Sequence, residues 1–274
     1  MPTSDWEDWL LRAVERADPA GIAAWYLGCN GFILKGADGT TLFIDPYLGT
    51  GDPPRTVRMI PIPFDPTDVR EADAILATHE HTDHVHGPSQ QPILESTGAS
   101  FIGPAASQAV LDEEEWAIPN EQRTEVSVGT TLSIGGFEVS VLAANDPDAE
   151  EPVSYLFEYD DNTFFHAGDS RPEPGFSEIG EEFAIDVAAI AFGSVGMIPD
   201  KQTREPKRTR WYNDENQIVE AANALQATRL VPTHWDMWRG LTADPTALHH
   251  HVHSFEVPKH LEVTRIGDRI DLPH

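Results

Sequence analysis

The sequence predicts an α/β fold, and three observations carry that expectation. Apolar runs of strand length recur along the chain, helical patterns separate them, and the strands gather in two halves that are each followed by helices. In chain order, residues 3 to 17 form an amphipathic helix with Trp6, Trp9, Leu10, Ala13 and Val14 on one face, and Pro19 ends it. Strands are expected at 22–27, 31–35 and 41–45, joined by short turns such as Ala37-Asp38-Gly39. Residues 46 to 66 are proline-rich and irregular, and long loops in compact domains tend to be functional. Helices at 88–97 and 105–112 alternate with strands at 100–103 and 130–144. Strands at 153–159 and 162–166 form a hairpin, and a buried strand covers 186–192. A helix at 214–227 precedes the strand 229–232, Asp244-Pro245 opens a last helix, and 261–266 closes the chain as a strand. No short repeat is present, and the length fits one domain over residues 1–274.

The run Thr78-His79-Glu80-His81-Thr82-Asp83-His84 follows the apolar stretch Asp73-Ala74-Ile75-Leu76-Ala77. It places four metal-ligand side chains in six residues, spaced H-x-H-x-D-H. His79 and His81 can share one side of an extended segment, because side chains alternate with period two. Asp83 and His84 fall on the next turn and can reach a second ion. Imidazole with carboxylate suits Zn²⁺, Mn²⁺ or Fe²⁺. Three further residues sit where strands run out into loops: Asp45 after Thr41-Leu42-Phe43-Ile44, Asp169 in His166-Ala167-Gly168-Asp169-Ser170, and His234 after Arg229-Leu230-Val231-Pro232-Thr233.

These motifs resemble the metallo-β-lactamase superfamily. Several segments resemble the L-ascorbate-6-phosphate lactonase family in particular. They are Trp25-Tyr26-Leu27-Gly28-Cys29-Asn30-Gly31, Asp45-Pro46-Tyr47-Leu48-Gly49-Thr50-Gly51, Ala74-Ile75-Leu76-Ala77-Thr78-His79, Val153-Ser154-Tyr155-Leu156-Phe157, His166-Ala167-Gly168-Asp169-Ser170 and Pro232-Thr233-His234-Trp235-Asp236. The likeness spans about residues 20 to 255. It implies a four-layer αββα sandwich and a dinuclear hydrolase with two divalent ions, Zn²⁺ or Mn²⁺. It also implies that His79 and His81 hold the first ion, that Asp83, His84 and His234 hold the second, and that Asp169 bridges them. The superfamily's usual third histidine is missing after residue 144. The chain reads Leu142-Ala143-Ala144-Asn145-Asp146-Pro147 there, so Asp146 is the candidate ligand, against a plain turn role or Asn145. Asp45 and His166 are expected to orient the ligands rather than to bind metal.

Two adjacent ions acidify a shared water and polarise the bond under attack, with Asp83 and His84 as the groups nearest the chemistry. The implied reaction is opening of the lactone of an anionic, phosphorylated sugar acid. The alternatives are a phosphodiesterase of the same superfamily and a non-catalytic metal-binding scaffold. No G-x-S-x-G elbow and no phosphate-binding P-loop is present.

The segment Lys201 to Arg210 holds five of the chain's 18 basic residues. Arg204, Lys207, Arg208 and Arg210 are candidate anion-binding residues, the other reading being a solvated loop that pairs with the acidic surface. Cys29, the single cysteine, excludes an internal disulfide and reads as a buried structural thiol. His249-His250-His251-Val252-His253 reads as an exposed helix.

Formal net charge is −28, from 46 acidic residues against 18 basic, of which four are lysine. Acids dispersed among apolar strands argue against disorder and for a surface adapted to molar salt. They also argue against nucleic acid as a partner, which would require a positive footprint. No apolar run reaches membrane-spanning length, and the first residues lack a secretion signal, so a cytoplasmic protein acting on a small anionic substrate is expected. Oligomeric state stays open.

Overall fold

The computed structural model describes residue 4 and residues 6–272. Two seven-stranded sheets pack face to face. The first contains β1 (Ile22–Gly28), β2 (Gly31–Gly36), β3 (Thr41–Ile44), β4 (Ala74–Leu76), β5 (Ser100–Gly103), β6 (Arg123–Glu125) and, beside β1, the last strand β16 (Arg269–Leu272). The second contains β7 (Thr131–Ile134), β8 (Phe137–Ala143), β9 (Val153–Tyr159), β10 (Asn162–His166), β11 (Val187–Ala191), β14 (Arg229–Thr233) and β15 (His260–Leu261). Strands β12 (Gly196–Pro199) and β13 (Pro206–Thr209) form a separate antiparallel ribbon.

Period-two alternation explains the layering. Along β1, Ile22, Ala24 and Tyr26 face the second sheet and meet a core of Phe32, Val139, Tyr155, Phe157 and Phe164. Ala23, Trp25 and Leu27 face outward beneath α1 (Trp9–Glu15), α2 (Gly87–Thr97) and α3 (Ala105–Glu113). The second sheet repeats the pattern: Leu156, Phe165, Ala188 and Leu230 pack under α4 (Phe176–Glu182), α5 (Glu215–Ala224) and α6 (Leu248–Val252). Central strands are buried on both faces, so they read as nearly unbroken apolar runs. The result is the expected four-layer αββα sandwich.

Several boundaries differ from expectation. Helix α1 is shorter, and its inward face is Leu10, Leu11 and Val14, while Trp9 is 49% exposed. Trp9 instead lies beside Trp6, ring centroids 5.5 Å apart, over the Gly267 turn. Residues 3 and 5 of the expected helix lie outside the described residues. The buried Lys35 ends α1, donating from Nζ to the carbonyls of Val14 and Glu15 at 2.9 Å. The expected strand 130–144 is a hairpin of β7 and β8, and the expected closing strand 261–266 reduces to β15, with β16 closing the other sheet. The basic segment is part of the β12–β13 ribbon rather than a loop.

Candidate metal centre

The expected donors converge at one edge of the sandwich, where strands of both sheets end. Asp45 follows β3, the histidine motif follows β4, Asp146 follows β8, Asp169 follows β10 and His234 follows β14. Ligand atoms gather into three groups: His79, His81 and Asp146; His79, His84 and Asp169; and Cys29, Asp83 and His234. Within each group all atoms lie within 4.8 Å of one another.

In the first group His79 Nε2 is 2.9 Å from His81 Nδ1, and Asp146 Oδ2 is 3.6 Å and 3.8 Å from these two atoms. Asn145 points away and donates to the Pro172 carbonyl at 2.9 Å. Asp169 lies between the other groups, with Oδ2 3.4 Å from His84 Nε2 and Oδ1 3.6 Å from His234 Nε2. Asp83 Oδ2 is 3.4 Å from His234 Nε2. His84 therefore stands with His79 and Asp169, and Cys29 stands in the place expected for it beside Asp83 and His234.

The backbone is bent to aim these groups. Cys29, Asp45 and His234 have φ of 59°, 43° and 64°, the left-handed region that non-glycine residues seldom adopt. At Gly168, with φ of 60°, a Cβ would lie 3.0 Å from Thr78 Cβ, so glycine lets the Asp169 turn approach the metal motif.

Supporting residues orient the donors. Asp45 is fully buried; its carboxylate accepts from the Thr78 backbone at 2.9 Å and from the Thr78 hydroxyl at 2.8 Å, and contacts His84 Nδ1 at 2.8 Å. His166 Nε2 donates to the Asn30 carbonyl at 2.8 Å. Asn30 was not legible as a site residue. Its amide donates to Asp169 Oδ1 at 3.1 Å and accepts from the Thr233 hydroxyl at 2.7 Å, tying one sheet to two loops of the other. Tyr212 stacks on the His234 ring, centroids 4.1 Å apart at 21°.

The donor set suits a divalent cation. Burial, then the neighbouring His84, pushes His79 down to about 3, which keeps its imidazole neutral as a ligand must be. Burial raises Asp83 and Asp169, but the surrounding histidines overcome it and hold both well below the usual carboxylate range. Burial and Asp169 push Asp146 up to about 6. Burial would lower His84, but Asp45 and Asp169 outweigh it and raise the imidazole well above its usual value. A cation placed among these carboxylates would take over that role and favour neutral imidazole. His84 Nε2 is buried with no hydrogen-bond partner among the described residues, only the Asp169 carboxylate at 3.4 Å, and such an ion would satisfy it.

Replacing Asp45 by asparagine is expected to weaken metal binding about 10- to 100-fold while leaving the ligands in place, because it removes the anion that orients His84. Titration of the metal-free variant with zinc checks this; unchanged affinity would show that Asp45 only holds Thr78.

A cleft of about 640 Å³ opens over the donors, lined by His81, Asp83, Asp146 and Asp169 on its floor. Lys201, Lys207, Arg208 and Arg210 line it, together with Arg55 from the proline-rich loop and Trp211. Arg204 is not among the lining residues; its Nη1 lies 3.7 Å from Asp52 Oδ2. Arg210 lines the cleft but is engaged by Gln217, by Asp214 at 3.1 Å and by the Tyr212 carbonyl at 3.4 Å. The histidines of 249–253 join no ligand group among the described residues.

Comparison with known proteins agrees with this geometry. The family described as "Beta-lactamase superfamily domain" matches residues 40–235. The probable L-ascorbate-6-phosphate lactonase UlaG of Escherichia fergusonii is 28% identical, over 88% of this chain and 77% of its own length. Among solved structures, Igni18, a metallo hydrolase from Ignicoccus hospitalis, superposes with a TM-score of 0.68 at 20% identity, covering 92% of this chain and 99% of that one. CmlA, a diiron β-hydroxylase from Streptomyces venezuelae, gives 0.66 at 17% identity, covering 93% of this chain and 55% of that one. With the domain match spanning most of the sandwich and its ligand loops, this chain belongs to the metallo-β-lactamase superfamily of metal-dependent hydrolases.

Proposed function

We propose that this hydrolase opens the lactone ring of an anionic sugar acid, with a phosphorylated substrate as the best fit. The observation that carries the reading is the cleft: a positively lined wall stands over the metal-ligand floor on a chain of net charge −28. An anion approaching such a chain is repelled unless local positive charge offsets the field. The volume suits a small molecule. The 28% identity to a probable L-ascorbate-6-phosphate lactonase supports the substrate class. The fold alone does not, since a β-hydroxylase shares it.

Bound divalent ions supply an acidified water and polarise the carbonyl. Asp83, held deprotonated on the cleft floor, accepts the proton on Oδ1, the carboxylate oxygen other than the one beside His234, as the water oxygen bonds to the lactone carbon. The ring C–O bond then breaks, and the proton passes from Asp83 to the leaving ring oxygen. Arg208 is the freest clamp: it is exposed and has no ion pair among the described residues. Arg55 lies 5.3 Å over the Trp211 ring, and its Nε is buried with no hydrogen-bond partner among the described residues. Planar guanidinium groups grip phosphate or carboxylate at two points.

Changing Arg55 and Arg208 together to glutamine is expected to raise KM for a phosphorylated lactone about 10- to 100-fold, as loss of charged hydrogen bonds of about 1.5–3 kcal/mol implies. A neutral lactone should be little affected, and kcat should hold, since such contacts are equal in ground and transition states. Equal effects on both substrates would defeat the anion reading. Turnover of phosphodiesters but not lactones would replace the reaction while keeping the site.

A further inference from the structure

We propose that His86 is a substrate-binding residue: the N–H it presents to the cleft is on Nε2, and it donates to an uncharged oxygen of the substrate, a hydroxyl of the sugar ring. The inference rests on the lactonase reading above and deepens it, because it names the contact that separates a sugar lactone from a plain one.

The tautomer follows from a count of protons. Ser89 is fully buried, and its Oγ accepts from the Leu48 backbone at 2.8 Å and lies 2.6 Å from His86 Nδ1. A hydroxyl has one proton to give. Among the described residues Nδ1 is the acceptor that this proton reaches. A proton on Nδ1 would leave the buried hydroxyl with nothing to donate to, which folded proteins avoid. Ser89 Oγ therefore donates to Nδ1, and the proton of the neutral imidazole sits on Nε2. His86 lines the cleft, and Nε2 has no hydrogen-bond partner among the described residues.

The backbone fixes the ring in place. His86 precedes α2 in extended conformation, φ −140° and ψ 107°, and its carbonyl accepts from the Ser89 and Gln90 backbones at 3.0 Å. Gln90 Nε2 donates to the His84 carbonyl at 2.6 Å, which holds the metal motif against the same helix. The Ser89 hydroxyl that sets the tautomer also ties the loop after β3 to α2 through Leu48. A donor ordered in advance costs little to immobilise when a ligand binds.

The surroundings select the acceptor. Tyr47 stands edge-on to the His86 ring, centroids 4.9 Å apart, and Trp238 is 5.9 Å from Tyr47. All three line the cleft. Aromatic walls with a few placed polar groups are the common form of a small-molecule site, in which the polar groups set orientation and specificity. Among the described residues the charge that acts on the His86 ring is the Asp83 carboxylate, not a basic residue of the β12–β13 ribbon. An anion is disfavoured beside that carboxylate. The phosphate therefore goes to Arg55 and Arg208, and a neutral oxygen is left for His86.

The test uses the full chain loaded with zinc or manganese and two probes: a phosphorylated hexonolactone, and a phosphorylated lactone of the same ring size without ring hydroxyls. The wild-type protein should prefer the hydroxylated probe. His86→Phe keeps a ring and removes the donor, and it should erase the preference by raising KM for that probe about 3- to 10-fold with kcat nearly held. His86→Gln offers an amide N–H in place of Nε2–H and should retain most of the preference. The second probe should not separate the three proteins. Nitrogen-15 NMR of the wild-type protein should show the His86 ring as the Nε2–H tautomer. A preference that survives in His86→Phe, equal turnover of both probes by the wild type, or an Nδ1–H tautomer overturns the inference and leaves the lactonase reading standing. Turnover of neither probe with either metal overturns both. The wild-type NMR spectrum decides the donor assignment even if His86→Phe does not fold.

Discussion

Asp169→Ala is expected to abolish hydrolysis, with a loss of about 10³-fold or more. Among the described residues this carboxylate reaches both His84 and His234, at 3.4 Å and 3.6 Å, so its removal breaks the link between the donor groups. Metal-centred stabilisation amounts to several kcal/mol, and each 1.36 kcal/mol is tenfold in rate. The fold should survive. Asp169 sits on the floor of the cleft, beyond β10, and its loss leaves the core between the sheets untouched. Metal content by mass spectrometry, far-ultraviolet circular dichroism and initial rate, taken on one preparation, separate these effects. A wild-type rate at reduced metal content would remove Asp169 from the metal centre.

The second large effect is salt dependence of stability. The chain has 46 acidic residues, and among the described residues seven carboxylates pair with arginine or lysine, which leaves most of the surface charge uncompensated. One buried lysine of the four is spent on the end of α1. Glu138 stands directly opposite Glu158 across β8 and β9. Partial burial, then Glu138 and Glu182, raises Glu158 above its usual value. Because the folded-state pKa is the higher one, the repulsion is present at neutral pH and is relieved as pH falls through that raised value. Screening length falls from about 10 Å at 0.1 M salt to about 3 Å at 1 M. Relief of a few kcal/mol in a domain of this size moves Tm by about 10 °C. We expect that rise between dilute buffer and molar potassium chloride. Glu138→Lys should raise Tm in dilute buffer and do little in molar salt. A flat salt profile would mean that the acidic surface is not an adaptation to salt.

Most strands of both sheets and the metal-ligand loops were legible because their physics is local, whereas β6, Arg123-Thr124-Glu125, has no buried residue and was not. Buried strands such as β11, Val-Ala-Ala-Ile-Ala, are unbroken apolar runs, and the motif from His79 to His84 concentrates its donors in one turn. The ribbon β12–β13 was not legible, since β13 is Pro206-Lys207-Arg208-Thr209 with no buried face. Helix α4 is short, carries an internal Gly180 and follows a proline-rich stretch, so its pattern is weak. Strand β16 did carry a period-two signal, with Ile270 and Leu272 buried between exposed Arg269 and Asp271, but it is only four residues long. Asn30 and Arg55, which escaped notice, and Cys29, read as a buried structural thiol, owe their positions to the docking of distant segments. Cys29 reads as an ordinary thiol until the turn after β1 is seen against the end of β14. The likeness to a lactonase family placed the donors in sequence and grouped His84 with Asp83 and His234, which the structure does not. His84 beside His79 and Asp169, rather than beside Asp83 and His234, is visible in three dimensions alone.

The candidate donors come from both halves of the sandwich: His79, His81, Asp83 and His84 from a loop of the first sheet, Asp146, Asp169 and His234 from loops of the second. An ion held among them is a cross-link between segments far apart in the chain, and it can form only when the two sheets are docked. Bound metal then works as a clasp on the seam, stabilising the folded state by an amount set by free ion concentration over the dissociation constant. Chelation should loosen the seam first, so amides of Tyr26, Cys29 and His234 would exchange before those in the middle of either sheet. Metal availability would in this way govern how long the two halves stay closed, apart from any substrate turned over.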